Sequence, residues 1–187
     1  MGLKSKVKKL VSGRLISAYH LALAAIACIY YGWPSKKMIV IGITGTKGKT
    51  SAANFIWSVL TAGGYKTGLI GTANIIIGDT HMLNKYHMTM PGRFILQKTL
   101  KQMLKAGCKF AVVETTSEGI KQWRHYGIFY DVAIFTNLTP EHLEAHGGDF
   151  LKYKEAKGRL FASLKNSYRK IIGEREVKKT IIANSDN

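Results

Sequence analysis

A chain of 187 residues, 46% of them hydrophobic, can bury one good core but not several, which predicts one domain plus an appendage. Its two cysteines, Cys28 and Cys108, exclude a disulfide framework or a cysteine metal cluster and fit a reducing, cytoplasmic compartment. The formal charge of +17 suits anionic partners: nucleotides, nucleotide sugars, anionic lipid or nucleic acid.

The chain opens on a basic arm, Lys4, Lys6, Lys8, Lys9 and Arg14, followed by an uncharged stretch over 15–33. That stretch is near the minimum length for a membrane span, and Tyr30, Tyr31 and Trp33 suit an interface. No small-residue cleavage site of a signal peptide follows. Basic residues flank the stretch on both sides, with Lys36 and Lys37 following, so a span is disfavoured. A helix packed on the domain or lying on a membrane surface is expected instead. Pro34 ends it, which divides the chain into an arm and apolar helix over 1–35 and a domain over 36–187.

Within the domain, strand and helix patterns alternate. Residues 38–43 read as a strand and 50–62 as a helix stopped by Gly63 and Gly64. Strands follow at 66–70 and 73–77, the latter turning at Gly78 and Asp79. Pro91 opens a helix running to Lys105, closed by Gly107. Residues 109–115 and 131–136 are strands of buried type, 150–164 is an amphipathic helix and 180–183 a last strand. This order predicts an α/β fold: a mostly parallel, doubly wound sheet with right-handed crossovers and ligands beyond the carboxyl ends of the strands.

The first strand leads into Gly45, Thr46, Lys47, Gly48, Lys49, Thr50 and Ser51, and then a helix. Glycines let backbone N–H groups approach a phosphate chain, and the helix start adds unpaired donors. Lys49 is placed to reach terminal phosphates and Thr50 to bind magnesium, with Ser51 beside it, so this is a variant P-loop for ATP. Ile43 occupies the place where the usual pattern has its first glycine.

Two further buried strands end in polar chemistry. The strand at 110–113 ends in Glu114, a natural magnesium partner for a P-loop; the one at 132–135 ends in Thr136 and Asn137. His142 and His146 lie four apart, but Leu143 replaces the glutamate that a zinc protease helix needs, and no third ligand is evident. His146 is the better site candidate. On the last long helix Phe150, Tyr153, Leu160, Phe161 and Leu164 form an apolar stripe with Lys157 in its middle. Such a lysine either packs its stem and snorkels, or reaches a buried anionic site with a lowered pKa.

Together these residues resemble the central, ATP-binding domain of the Mur ligase family. The likeness runs from residue 39 to 187 and rests on the loop 44–50, on 114–120, on 135–146 and on 153–161. It implies that ATP phosphorylates the carboxylate of a UDP-muramoyl peptide and that an amino acid's amine attacks the acyl phosphate. It implies roles for Lys49 on the phosphates and for Thr50, Glu114 and His146 on magnesium. It also implies a carbamylated Lys157 facing a second metal. Asn137 would line the site, and Thr89, Ser117 and Arg124 would contact the sugar-nucleotide side. Lys47 stands where the family commonly has Asn, Glu118 where it has His, Met90 where it has Thr and Glu141 where it has Asp. The family's domain is expected to continue past residue 187. Folylpolyglutamate synthase shares the architecture, although its loop usually reads Gly-Lys-Gly-Ser where this chain has Gly48, Lys49, Thr50 and Ser51. A nucleotide-binding module without catalysis is the alternative from another class. Specific nucleic-acid binding has charge alone in its favour, with no motif.

Overall fold

A computed structural model describes residues 13–141, 143–165 and 167–185. Helix α1 (Gly13–Tyr31) leads through a short 3-10 turn (Pro34–Lys37) into β1 (Ile39–Thr44). Then come α2 (Lys49–Ala62), β2 (Thr67–Ile70), β3 (Asn74–Ile77), β4 (Thr80–Leu83) and α3 (Arg93–Lys105). After β5 (Phe110–Glu114), α4 (Ser117–Lys121) and β6 (Val132–Phe135) comes a 3-10 turn, Glu144–His146. The last elements are α5 (Phe150–Lys165), a two-residue hairpin of β7 (Ile171–Ile172) and β8 (Arg175–Glu176), and β9 (Thr180–Ala183).

Seven strands form one sheet in the order β4-β3-β2-β5-β1-β6-β9. The five strands from β2 to β9 are parallel, and β3 and β4 add on antiparallel at one edge. Side chains alternate across the sheet, as the period of two requires. Val40, Ile70, Ala111 and Val113 point to one face, where α3 and α5 cover them with Leu96, Leu100, Met103, Leu160 and Leu164. Ile41, Ile43, Leu69 and Val112 point to the other, under Ala53, Ile56, Trp57 and Leu60 of α2. Both faces are covered, so the central strands read as continuous apolar runs.

Three elements depart from the sequence-based expectation. Strand β4 has all four residues exposed and gives no alternating pattern, yet it pairs with β3 through the turn at Gly78. Helix α4 is only five residues long and is started by Thr116, whose hydroxyl accepts from Gly119 N at 3.1 Å. The hairpin of β7 and β8 is too short to leave a periodic signal. The chain around it is tied to the core by charge. Lys170 is wholly buried and its Nζ donates to Asp131 Oδ2 at 2.5 Å and to Met38 O at 2.8 Å. Asp131 also accepts from Val40 N at 2.8 Å and from Lys179 Nζ at 2.7 Å.

Candidate active site

The carboxyl ends of β1, β2 and β5 open on a cavity of about 700 Å³. Its floor is the loop between β1 and α2. Gly48 caps α2 with φ of 78°, a conformation that a side chain resists. Gly45 sits against β6: a Cβ there would meet Thr136 Oγ1 at 1.9 Å. The loop is braced from the end of β6. Asn137 Oδ1 accepts from Thr46 N at 3.1 Å and Lys47 N at 2.8 Å, and its Nδ2 donates to Lys47 O at 3.1 Å. Thr136 Oγ1 also donates to Lys47 O, at 2.7 Å. Asn137 and Lys47 therefore shape the loop from outside and do not line the cavity. Lys47 instead pairs with Glu141 on the surface at 2.7 Å. Gly45, Thr46, Gly48, Lys49, Thr50 and Ser51 do line it.

Glu114 is fully buried where β5 ends. Its Oε2 accepts from Thr50 Oγ1 at 3.0 Å and Thr72 Oγ1 at 2.9 Å, and its Oε1 from Thr72 N at 2.9 Å. Thr72 Oγ1 in turn lies 2.9 Å from Thr89 Oγ1. A line of oxygens thus runs from the P-loop hydroxyl through the carboxylate to Thr89. Gly71 makes room for it, since a Cβ there would sit 2.5 Å from Glu114 Oε1. Thr72 escaped the sequence analysis. The available signal was positional: it follows β2, a parallel strand next to β5, so its tip must fall beside Glu114.

Lys157 is 3% exposed on the inner face of α5. Its Nζ donates to Gly45 O at 2.8 Å and lies 4.4 Å from the Tyr153 ring centroid. Burial first, and the charge of Lys49 second, push its pKa down to about 7. The amine does not snorkel to the surface: it is inside, on a carbonyl of the P-loop and near Lys49. Lys49 Nζ donates to the same Gly45 carbonyl at 2.9 Å and to Thr46 O at 2.8 Å. Burial lowers its pKa too, opposed by Glu114. Tyr153 Oη lies 2.9 Å from Thr46 Oγ1 and closes this wall.

The far end of the cavity carries Thr89, Ser117, Glu118 and Arg124. Arg124 is aimed by Gln122, whose Oε1 accepts from Nε at 3.1 Å and Nη2 at 2.7 Å, and by the carbonyl of Met90. His146 is not brought to the main cavity's lining. Its ring packs on Tyr153 with centroids 5.4 Å apart, and it lines a smaller cavity of about 130 Å³ with Lys121, Lys152 and Arg159. Its Nε2 is buried without a hydrogen-bond partner, and burial, then Lys121 and Lys157, lower its pKa. His142, the other half of the weighed zinc pair, lies outside the described residues. Among the described residues no three His, Cys, Asp or Glu side chains gather as a metal cluster. Glu114 itself does not line the cavity; one buried carboxylate with hydroxyl neighbours, behind the Thr50 of a phosphate-binding loop, suits magnesium better than zinc.

Residues 43–187 match the model of the Mur ligase middle domain. The chain is 44% identical over 154 residues to the UDP-N-acetylmuramoyl-L-alanyl-D-glutamate--2,6-diaminopimelate ligase of Geobacillus kaustophilus, covering 82% of this chain and 31% of that one. It is 41% identical over 145 residues to the UDP-N-acetylmuramyl-tripeptide synthetase of a Roseiflexus species, covering 76% and 28%. It thus spans about a third of the length of these curated relatives. Among solved structures, a UDP-N-acetylmuramoyl-L-alanyl-D-glutamate--2,6-diaminopimelate ligase superimposes with a TM-score of 0.61 at 24% identity, over 81% of this chain and 33% of that one. The FolC protein of E. coli in complex with ADP gives 0.61 at 18%, over 88% and 47%, a likeness of fold. By the match over residues 43–187 and by identity above 40%, this chain belongs to the Mur ligase family.

Proposed function

We propose that this chain is the ATP-binding unit of an amide-bond ligase that adds an amino acid to a UDP-muramoyl peptide, in the cytoplasm, during synthesis of a cell-wall precursor. The observation that carries this is the convergence of Thr50, Glu114 and Lys157 on one loop, with Thr50 and Lys157 lining a cavity that continues to Arg124 and Glu114 buried behind Thr50. The loop N–H groups and Lys49 would hold the ATP phosphates. Thr89, Ser117 and Arg124 would hold the sugar-nucleotide peptide so that its carboxylate faces the terminal phosphate. That carboxylate would attack the phosphorus, releasing ADP and leaving an acyl phosphate. The amino acid's amine would then attack the acyl carbon and release phosphate.

Thr50 and Glu114 fit a magnesium ion, because Glu114 is buried with a hydroxyl on the same oxygen and faces the phosphate loop. His146, with its unpartnered buried Nε2, is the further candidate ligand. Magnesium when bound supplies neutralisation of the phosphate charge. We read Lys157 as a carbamate site. At a pKa of about 7 a large share of the amine is neutral and nucleophilic. Its nitrogen would bond the carbon of CO2 and lose a proton, exchanging a cation for an anion beside Lys49. The 44% identity to a UDP-muramoyl ligase favours this substrate class over folate, for which the likeness is one of fold.

The test is calorimetric titration of ATP with magnesium into this chain and its Lys49→Ala variant, then phosphate release with UDP-muramoyl peptides and an amino-acid panel. ATP binding that falls by about a hundredfold in the variant is expected from lost charge-assisted bonds. Equal ATP affinity in the two proteins overturns the P-loop assignment. Phosphate release indifferent to every UDP-muramoyl peptide overturns the substrate class.

A further inference from the structure

Helix α1 has two faces of different character. The inner face is fixed to the domain. Ser17 Oγ accepts from Trp123 Nε1 at 2.7 Å, His20 Nδ1 meets Arg93, and Ala24, Ala27 and Cys28 are buried. The outer face is apolar and open. Leu15, Tyr19, Ile26, Ile29 and Tyr30 are 52–75% exposed and follow one another at helical spacing. A helix on a soluble domain ordinarily turns charge outward. Here positions 15–33 hold no Asp, Glu, Lys or Arg.

Charge instead flanks the stripe in the sequence. Arg14 stands at its start, the sequence before it carries Lys4, Lys6, Lys8 and Lys9, and Lys37 follows its end, while Lys36 packs its amine over the rings of Trp33, Phe129 and Tyr168. Lys101, from the neighbouring α3, reaches Gly32. A second copy of the chain would bring these cations against one another, which disfavours a dimer through this face. Among the described residues α1 is long and apolar enough to cross a bilayer. Crossing would, however, strip Ser17 and His20 of their partners on the domain. Lying in the interface keeps those contacts, places Tyr19 and Tyr30 at headgroup depth and sets the flanking lysines against lipid charge.

We propose that the outer face of α1 is a docking surface for an anionic phospholipid bilayer, on which it lies without spanning. The inference is independent of the ligase reading. Through Arg93, which donates to Gln122 O at 2.7 Å, the docked helix sits one residue pair from Arg124 and the sugar-nucleotide end of the cavity.

The experiment is vesicle flotation of the 187-residue chain with neutral phosphatidylcholine vesicles and with vesicles carrying about 30% phosphatidylglycerol. Binding to the anionic vesicles alone is expected, falling by about tenfold or more when salt is raised to roughly 0.5 M. The doubly substituted chain, Ile26→Asp with Ile29→Asp, should lose about tenfold in partitioning while its melting temperature and ATP binding stay unchanged. Both side chains are more than half exposed, so the fold tolerates the change. Absence of binding to anionic vesicles overturns the proposal, as does equal binding to neutral ones. Undiminished binding by a folded double variant also overturns it. Concentration-dependent dimerisation in sedimentation that the double substitution abolishes, without lipid binding, would assign the face to a second copy. Should the variant not fold, the lipid and salt comparisons on the unsubstituted chain decide alone.

Discussion

Replacing Lys157 with methionine isolates what it costs to hold an amine inside this wall. The pKa of Lys157 falls from 10.5 to about 7, with burial as the main cause. Because the folded value lies below the unfolded one, the unfolded chain binds more protons between them, and stability rises with pH across that window. The full cost, at most about 5 kcal/mol, is present below pH 7 and fades toward the unfolded value. Integrated for this one group, the gain from pH 7 to pH 9 is about 2 kcal/mol. Methionine keeps the packed stem but binds no proton, so the variant lacks this slope. It also gives up the bond to Gly45 O, a loss of about 1 kcal/mol, although Lys49 still donates there. Methionine should therefore stabilise the chain at pH 7 by a few kcal/mol, and the difference should shrink by about 2 kcal/mol at pH 9. Urea denaturation of both proteins in CO2-free buffer measures it. Lys170, also pushed down by burial to about 8, titrates in the same window but is common to both and cancels. A difference that does not change with pH refutes the account of a buried, readily neutralised amine.

Two other substitutions test the neighbouring groups. Glu114→Gln removes the charge and keeps one acceptor oxygen, enough for the hydroxyls of Thr50 and Thr72 that share Oε2, while its amide NH2 faces Thr72 N and loses that bond. The magnesium-dependent part of ATP affinity should fall by about tenfold or more, beside a stability loss of about 1–3 kcal/mol from the Thr72 N–H that loses its acceptor. An unchanged magnesium dependence in titration calorimetry removes Glu114 from the metal site. Asp131→Asn leaves Lys170 wholly buried without its counter-charge, which should cost about 3–5 kcal/mol in denaturation experiments. A loss under about 1 kcal/mol would mean that Met38 O and Phe129 O suffice to hold the ammonium.

The central sheet was legible because its strands are buried on both faces and so announce themselves as apolar runs between helical patterns. Strand β4 was not, because Thr80, His81, Met82 and Leu83 are all exposed and hold their place only through the ladder with β3. Helix α4 was hidden by its length and by Gly119 in its middle, a poor helix former, and depends on the cap at Thr116. In the site, Glu114 and Lys157 stood out as anomalies, charges on buried elements. Thr72 is a polar residue in a turn-like context and carries no anomaly. Its role exists only in three dimensions, once β2 pairs with β5 and sets Ile70 beside Val113.

The placement of Asn137 narrows where a triphosphate would lie. Its Oδ1 takes the N–H groups of Thr46 and Lys47, so those two donors are spent within the protein. The donors left for phosphate are those at the start of α2, from Gly48 onward, which a helix leaves unpaired. A terminal phosphate held there would lie over Lys49, beside the Thr50–Glu114 contact and under Lys157, the one stretch of the loop where two amines and a carboxylate meet. The loop's outer half, which Lys47 ties to Glu141, then serves as scaffold. This division explains why Lys47 can stand where the family commonly has Asn: its side chain faces the surface, and the loop needs only its backbone.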